Sequence, residues 1–308
     1  MIDLSEPLVV LLLAVAMDLI LGEPPARVHP VVLMGRLIGA LKKRARPSRT
    51  YGAGVALLVI LSSAVAGHLL IAAGDLVNFL GLGLGIFVSA YLLKSTIAIR
   101  CLLETSSGIG KLVENDFDEA KKLLPALVSR NPDGLTKTQA TSAVIESLSE
   151  NYVDTVVSPL FYYLLFSPFG LGVEAALAYK AANTLDSMLG YRTEELKNLG
   201  WASARLDDLA NWVPARLSLP IIAAARPSRA GQILKTALRD HAATPSPNSG
   251  WPMAAAAGAL GIRLEKPGVY VVGEGGAEPS TKDLKPALWL VGTAIALCLI
   301  ASALILLL

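Results

Sequence analysis

Long apolar runs are the feature that most restricts how this chain can fold. Four segments, near residues 7–22, 53–74, 76–99 and 287–308, approach the ~20 apolar residues that a helix needs to cross a bilayer. Inside lipid, only a helix or a closed barrel satisfies its own backbone hydrogen bonds. Charged residues make up 17% of the chain, against about 25% in soluble domains. We therefore predict an all-α, polytopic membrane protein with about four spanning helices, forming a single membrane-embedded domain over residues 1–308.

A fifth apolar stretch, 156–182, differs from the four predicted spans. It contains Pro159, Pro168, Gly170 and Gly172, which interrupt a continuous helix. We expect this stretch to form a broken or re-entrant hairpin. The more polar segments 100–154 and 183–286 are expected to be cytoplasmic and helical.

The distribution of basic residues predicts the orientation of the chain. Segment 36–49 carries six Arg and Lys residues and no acid, and short segments of this kind stay in the cytoplasm. Counting crossings from there puts 100–154 and 183–286 on the same side. We therefore expect a multi-pass cell-membrane protein whose active face is cytoplasmic. The net charge of only +2 indicates no nucleic-acid partner.

Three acidic residues occur at helical spacing. Glu146, Glu150 and Asp154 are four residues apart, so a helix over 135–154 places them on one face. Like charges at this spacing repel, so a positive group should offset them. Arg or Lys from neighbouring helices would do so, and so would a divalent cation held by oxygen ligands. The spacing leaves both possibilities open.

A second polar cluster follows the broken hairpin. Asp186 comes shortly after it, and Asp207 and Asp208 lie next to Arg205. A guanidinium in this position can bind a phosphate or a carboxylate through two parallel hydrogen bonds. The alternative is an ordinary salt-bridged helix at the membrane surface.

A third cluster, Ser246, Asn248 and Trp251, lies in a stretch rich in Pro, Ser and Gly. This composition predicts a rigid loop, and loops on a rigid scaffold often carry binding groups. A helix beginning after Pro252 would offer its N-terminus to an anion. A plain structural loop is the alternative.

Asp18 stands inside the first apolar run, where a charge facing lipid would be costly. Glu23, Arg27, His29 and Arg36 follow it closely. We therefore expect Asp18 to face the protein interior or a polar site.

Standard nucleotide and nucleophile motifs do not occur in this sequence. It has no GxxxxGK[ST] loop, no GxGxxG after a strand and no GxSxG elbow. The lone Cys101 and Cys298 indicate neither a disulfide framework nor a zinc site. A nucleotide, if the protein uses one, is therefore held in a non-standard site.

Taken together, the ordered strings resemble the adenosylcobinamide-phosphate synthase family of cobalamin biosynthesis. The strings that carry this resemblance are DLILGEPP (18–25), HP (29–30), MGR (34–36), VSR (128–130), IESLSEN (145–151), SPLF (158–161), AYKAANTLDSM (178–188), GYR (190–192), GWASARLDD (200–208), PAR (214–216) and SPNSGWPM (246–253). They run in the family's order over nearly the whole chain. The chain departs from the family pattern at Asn131, where an Asp is expected, and at Thr155, where Gly is usual.

The resemblance implies amide-bond formation between adenosylcobyric acid and aminopropanol or its O-phosphate, through an ATP-dependent acyl phosphate, with ATP and Mg²⁺ as cofactors. The implied catalytic residues are Glu146, Asp186 and Asp207. The implied metal ligands are Glu146, Glu150, Asp154, Asp207 and Asp208. The implied substrate and phosphate-binding residues are Arg130, Lys180, Asn183, Arg192, Arg205, Arg216, Ser246, Asn248 and Trp251.

Other functions remain open at the level of sequence. A Mg²⁺-dependent intramembrane prenyltransferase acting on a diphosphate would also use inward-facing acids. A scaffold or transporter is the non-enzymatic alternative, although transporters usually show internal repeats and none is found here. The expected partners are the corrinoid and amine substrates, the lipid bilayer and other late cobalamin-pathway membrane enzymes.

Overall fold

A computed structural model of the chain describes residues 5–77, 83–128, 134–191 and 193–308. The helices in these ranges are α1 Ser5–Leu21, α2 Pro30–Lys43, α3 Arg49–Val77, α4 Leu84–Thr96, α5 Ile99–Asn115, α6 Phe117–Leu123, α7 Lys137–Tyr152, α8 Ser158–Phe166, α9 Gly172–Leu189, α10 Trp201–Ala210, α11 Trp212–Ala225, α12 Ala230–Asp240, α13 Gly250–Leu260 and α14 Leu284–Leu307. Two short strands, β1 Leu264–Lys266 and β2 Tyr270–Val272, pair antiparallel. The predicted all-α polytopic membrane fold is confirmed.

Three helical stretches among the described residues are long and apolar enough to cross a bilayer: Arg49–Val77, Leu84–Asn115 and Thr281–Leu307. The first predicted span corresponds to α1, which has 17 residues, about the shortest length that crosses. Helix α4 begins later than predicted, at Leu84, and Gly83 before it has a left-handed backbone with a φ of 58°. It ends at Thr96 because Ile97 is extended.

The apolar stretch 156–182 has the expected break. A π-helical turn, Val153–Val157, leads into α8, and a 3₁₀ turn, Ser167–Phe169, separates α8 from α9. Gly170 follows with a φ of 70°, a conformation that glycine adopts without steric cost. Helix α9 then runs on past residue 182 to Leu189.

One element was not predicted. The β1–β2 hairpin lies in the segment expected to be helical, with Leu264 opposite Val272. Pro267 and Gly268 follow β1, and Gly268 has a φ of 71°, which is typical of a turn between strands. The prediction of helix is wrong for β1 and β2, because the Pro267–Gly268 turn favours a hairpin over a continuous helix.

The chain forms two compact units, each assembled from separate parts of the sequence. The first contains Met1–Ala98, Ser158–Ala210 and Ala301–Leu308, and the second contains Ile99–Val157 and Asn211–Ile300. In the first unit, α9 packs against α2, α3, α4, α8 and α10. In the second, α13 packs against α7, α11 and α12.

Asp18 is fully buried in the first unit, as expected from its position in an apolar run. Its carboxylate lies 3.2 Å from the ammonium of Lys94 on α4, which is also buried. Lys94 also binds Glu23 at 2.8 Å, and Glu23 binds His29 at 3.0 Å. This charged network joins α1 to α4 and fixes the connection that leads into α2.

Candidate functional site

The end of α9 and the middle of α10 bring three acids of the first unit together. Burial, together with the negative charges of Asp207 and Asp208, raises the pKa of Asp186 to about 7. Asp186 is half-buried and α9 is not among the candidate spans. This repulsion indicates that the three carboxylates lie near one another.

A chain of polar contacts connects this acid group to α9. The Asn183 amide donates to an Asp207 carboxylate oxygen at 3.2 Å, and its own oxygen accepts from the Lys180 ammonium at 3.3 Å. Asn183 is buried, whereas Lys180 is half-buried. The structure therefore brings together Lys180, Asn183, Asp186, Asp207 and Asp208, all of which were predicted site residues.

Gly200, just before α10, allows the start of α10 to lie against the end of α9. A Cβ at Gly200 would overlap the backbone carbonyl of Leu189, the last residue of α9. The start of α10 therefore touches the end of α9, and only glycine fits there. Arg205 lies on the exposed side of α10.

Glu146, predicted as both catalytic and metal-binding, is buried in the second unit. Its carboxylate accepts hydrogen bonds from Ser142 Oγ and from the Tyr270 hydroxyl, both at 2.6 Å. Ser142 Oγ also accepts from the backbone N–H of Glu265 at 2.7 Å. These contacts attach the β1–β2 hairpin to α7, a role for Glu146 that its spacing in the sequence did not indicate.

The predicted acidic face of α7 does not continue as a regular helix. Helix α7 ends at Tyr152, and Asp154 lies in the π-helical turn. In a π-helical turn each bonded N–H reaches the carbonyl five residues earlier, which changes the angle between successive side chains. The alignment of acids every four residues on one face therefore stops at this turn. Glu150 and Asp154 are half-buried, whereas Glu146 is fully enclosed.

Arg216 is held between two tryptophans in the second unit. Its guanidinium lies 4.1 Å from the ring centre of Trp212 and 5.1 Å from that of Trp251. It also donates to the Trp212 carbonyl at 2.6 Å. Trp251 stacks on His241 with the ring centres 4.0 Å apart. Burial lowers the pKa of Arg216, and the remaining guanidinium N–H groups can still bind an anion.

Sequence reasoning missed three residues that build these contacts: Trp212, His241 and Tyr270. Trp212 precedes Arg216 by one helical turn, so the i, i+4 spacing could have revealed that pair. Tyr270 is 124 residues from Glu146, and no local pattern signals such a contact.

The loop before α13 is rigid because its own side chains hold it. Ser246 Oγ accepts from the backbone N–H groups of Asn248 and Ser249, at 3.2 and 3.3 Å. The helix begins at Gly250, before Pro252. Both N–H groups belong to the loop that precedes the helix, and the expected anion site at the helix start stays a prediction. Roles for Ser246 and Asn248 in substrate binding stay predictions.

Two predicted residues, Arg130 and Arg192, lie outside the described part of the chain. Among the residues that are described, no three His, Cys, Asp or Glu side chains form a group that could hold a metal ion. Proteins often bind Mg²⁺ through only one or two carboxylates, with substrate phosphates and water completing the shell.

Comparisons with known proteins identify the family. A family model described as CobD/Cbib protein matches residues 11–298. The chain is 54% identical over 308 residues to the probable cobalamin biosynthesis protein CobD of Methanothrix thermoacetophila, with 98% of each chain covered. It is 42% identical to the protein of the same description from Methanothermobacter thermautotrophicus, with 86% of each covered. It is 38% identical to the cobalamin biosynthesis protein CobD of Photorhabdus laumondii, covering 96% of this chain and 94% of that relative.

No solved structure matches the chain. The family model covers most of the sequence, and the relatives align with nearly their full lengths. The protein therefore belongs to the CobD/Cbib family and acts in cobalamin biosynthesis.

Proposed function

We propose that this protein joins a carboxylate of adenosylcobyric acid to the amino group of aminopropanol or its O-phosphate. The carboxylate would take the γ-phosphoryl group of ATP to give an acyl phosphate and ADP, and attack by the amine on the acyl carbon would form the amide and release phosphate. The observation that carries the proposal is the group of Asp186, Asp207 and Asp208 beside Asn183 and Lys180.

This acid group suits Mg²⁺ in its donor chemistry. Asp207 and Asp208 supply the carboxylate oxygens that the ion prefers, and their repulsion of Asp186 would be relieved by a positive charge. When bound, Mg²⁺ would neutralise the charge on a transferring phosphoryl group. Glu150 and Asp154 remain proposed ligands, whereas the contacts of Glu146 with Ser142 and Tyr270 favour a positioning role.

Asp186 is our proposed general base. The ammonium group of the substrate must lose a proton before its nitrogen can attack, and the nitrogen loses a second proton as the amide forms. A partly buried carboxylate beside the reacting groups can accept such a proton. The neighbouring Lys180–Asn183 contact orients the side chain of Asp207. Lys180 would also offer positive charge to a phosphate.

Arg216 is our proposed anchor for a substrate carboxylate or phosphate. The two flanking tryptophans fix the plane of its guanidinium, so little side-chain freedom remains to be lost on binding. Arg205, exposed on α10, is a second proposed anion contact.

The test is a reconstituted reaction followed by mass spectrometry. Purified protein in lipid nanodiscs is incubated with adenosylcobyric acid, ATP, Mg²⁺ and either aminopropanol or its phosphate. We expect an amide product that requires both ATP and Mg²⁺. Asp207→Asn should lower the rate by at least about 100-fold, the scale of a lost charge-stabilising group.

Asp118→Asn is the matched control, because Asp118 is an almost fully exposed surface acid. It should retain the wild-type rate. Absence of any amide product from either amine, with folded protein, would contradict the proposal and favour the prenyltransferase or transporter alternatives. Equal rates for Asp207→Asn and Asp118→Asn would show that Asp207 and its neighbouring acids are not part of the catalytic site.

A further inference from the structure

The segment that connects α1 to α3 is basic and exposed. No Asp or Glu occurs between Glu23 and Asp75. Residues 36–49 of this connection contain six exposed basic residues: Arg36, Lys42, Lys43, Arg44, Arg46 and Arg49. Within the described ranges none of these six forms an ion pair with an acid. Among the described residues no acid offsets this positive charge, so it is available to anions outside the chain.

Helix α2 presents two different faces. Met34 and Ile38 are buried, and α2 packs on α9. On the other side, Leu33 is 46% exposed and Leu37 is 38% exposed. Arg44, which caps the end of α2, follows Leu33 by eleven residues and Leu37 by seven, so the two leucines and the guanidinium share one face. A long basic side chain can reach the lipid headgroups while neighbouring leucines contact apolar surface, so this outer face suits the membrane interface.

The structure holds α2 rigidly at both ends. His29 caps its start, with Nδ1 accepting from the Val31 N–H at 3.2 Å, and binds Glu23 through Nε2. Near its end, the Tyr51 hydroxyl donates to the Leu41 carbonyl at 3.4 Å. The outer face is therefore presented in a fixed orientation, not as a mobile loop.

An aromatic residue accompanies the basic segment. The Arg49 guanidinium lies 5.4 Å from the ring centre of Trp201, which is 43% exposed. Tryptophan is enriched where a protein meets the headgroup region of a bilayer. This pair extends the same surface to the start of α10.

We infer that the outer face of α2, together with residues 42–49, binds anionic phospholipid headgroups. The cations would contact the phosphates, and Leu33 and Leu37 would contact the adjoining acyl chains. A free phosphate would satisfy the charges but leave the leucines exposed to water. The surface therefore fits a lipid, and this inference does not rest on the proposed amide chemistry.

The experiment measures which lipids the protein retains. The full chain is reconstituted in nanodiscs containing equal amounts of neutral phosphatidylcholine and anionic phosphatidylglycerol, and the lipids retained on brief detergent extraction are quantified by mass spectrometry. Because each basic residue near a membrane surface contributes about fivefold to anionic-lipid affinity, we expect phosphatidylglycerol to be enriched. The variant K42Q/K43Q/R44Q should lower this enrichment at least about threefold.

The matched control K111Q/K121Q/K122Q removes the same number of charges from a segment where acids accompany the bases. It should leave the enrichment unchanged. L33S/L37S should reduce retention of both lipids, whereas a surface that selects free phosphate would be unaffected by it.

A salt titration of the unmodified protein provides a second measurement. At about 1 M salt the Debye length falls to about 3 Å, so the enrichment should be lost. Equal enrichment in the wild type and K42Q/K43Q/R44Q, or an enrichment insensitive to salt, would overturn the inference.

Discussion

At the scale of single residues, the surroundings of Asp186 favour the neutral form of its carboxyl group. Burial and two neighbouring acids raise its pKa to about 7, whereas an unfolded chain would ionise it near pH 4. The folded protein therefore prefers the protonated acid. Its ionisation costs stability progressively as pH rises from about 4 to about 7.

Asp186→Asn should remove this pH dependence. Without divalent cations, we expect the variant to unfold about 5 °C above the wild type at pH 8, and the difference to shrink towards pH 4. Differential scanning fluorimetry over this pH range measures the effect, with Asp118→Asn as the exposed control. Parallel pH profiles for Asp186→Asn and the wild type would contradict the assigned burial and charge repulsion.

At the scale of elements, two helices that carry proposed site residues begin with the same dipeptide. Gly200-Trp201 starts α10, and Gly250-Trp251 starts α13. A Cβ at Gly250 would overlap the backbone carbonyl of His241, just as one at Gly200 would overlap Leu189. Each glycine allows one helix start to touch an earlier segment, and in the second case Trp251 stacks on His241.

Gly250→Ala should separate α13 from His241 and disturb the His241–Trp251 stack. We expect a loss of about 1–3 kcal/mol in the free energy of unfolding and a change in tryptophan fluorescence. Gly231→Ala in α12 is the control, because a Cβ there meets nothing within 4 Å. Alanine should be neutral or up to about 1 kcal/mol stabilising at that position. Similar unfolding curves for both variants would show that the close approach does not matter.

At the scale of the whole molecule, the orientation of the chain in the membrane stays a prediction from charge distribution. The two native cysteines can test it, because Cys101 is exposed whereas Cys298 is buried. Cys101 follows the third predicted span, on the side expected to be cytoplasmic.

A membrane-impermeant maleimide should not label the protein in intact spheroplasts, but should label Cys101 in inside-out vesicles. Cys101→Ser should abolish the signal, because Cys298 is enclosed by packing. Labelling in intact spheroplasts would reverse the predicted topology and place the proposed substrates on the wrong side.

Sequence by itself determined that this chain is a helical membrane protein of the CobD/Cbib family. Lipid cannot hydrogen bond to a backbone, so long apolar runs permit little other than helices, and ordered strings such as GWASARLDD identify the family. The break in 156–182 was equally visible, because Pro and Gly act locally.

Only the tertiary structure decided which acids lie near one another. Asp186 lies with Asp207 and Asp208 because the start of α10 contacts the end of α9, whereas Glu146 is held by Ser142 and by Tyr270 on a distant hairpin. Spacing along one helix reports which side chains share a face. It does not report which partner that face meets, because the partner comes from remote parts of the chain.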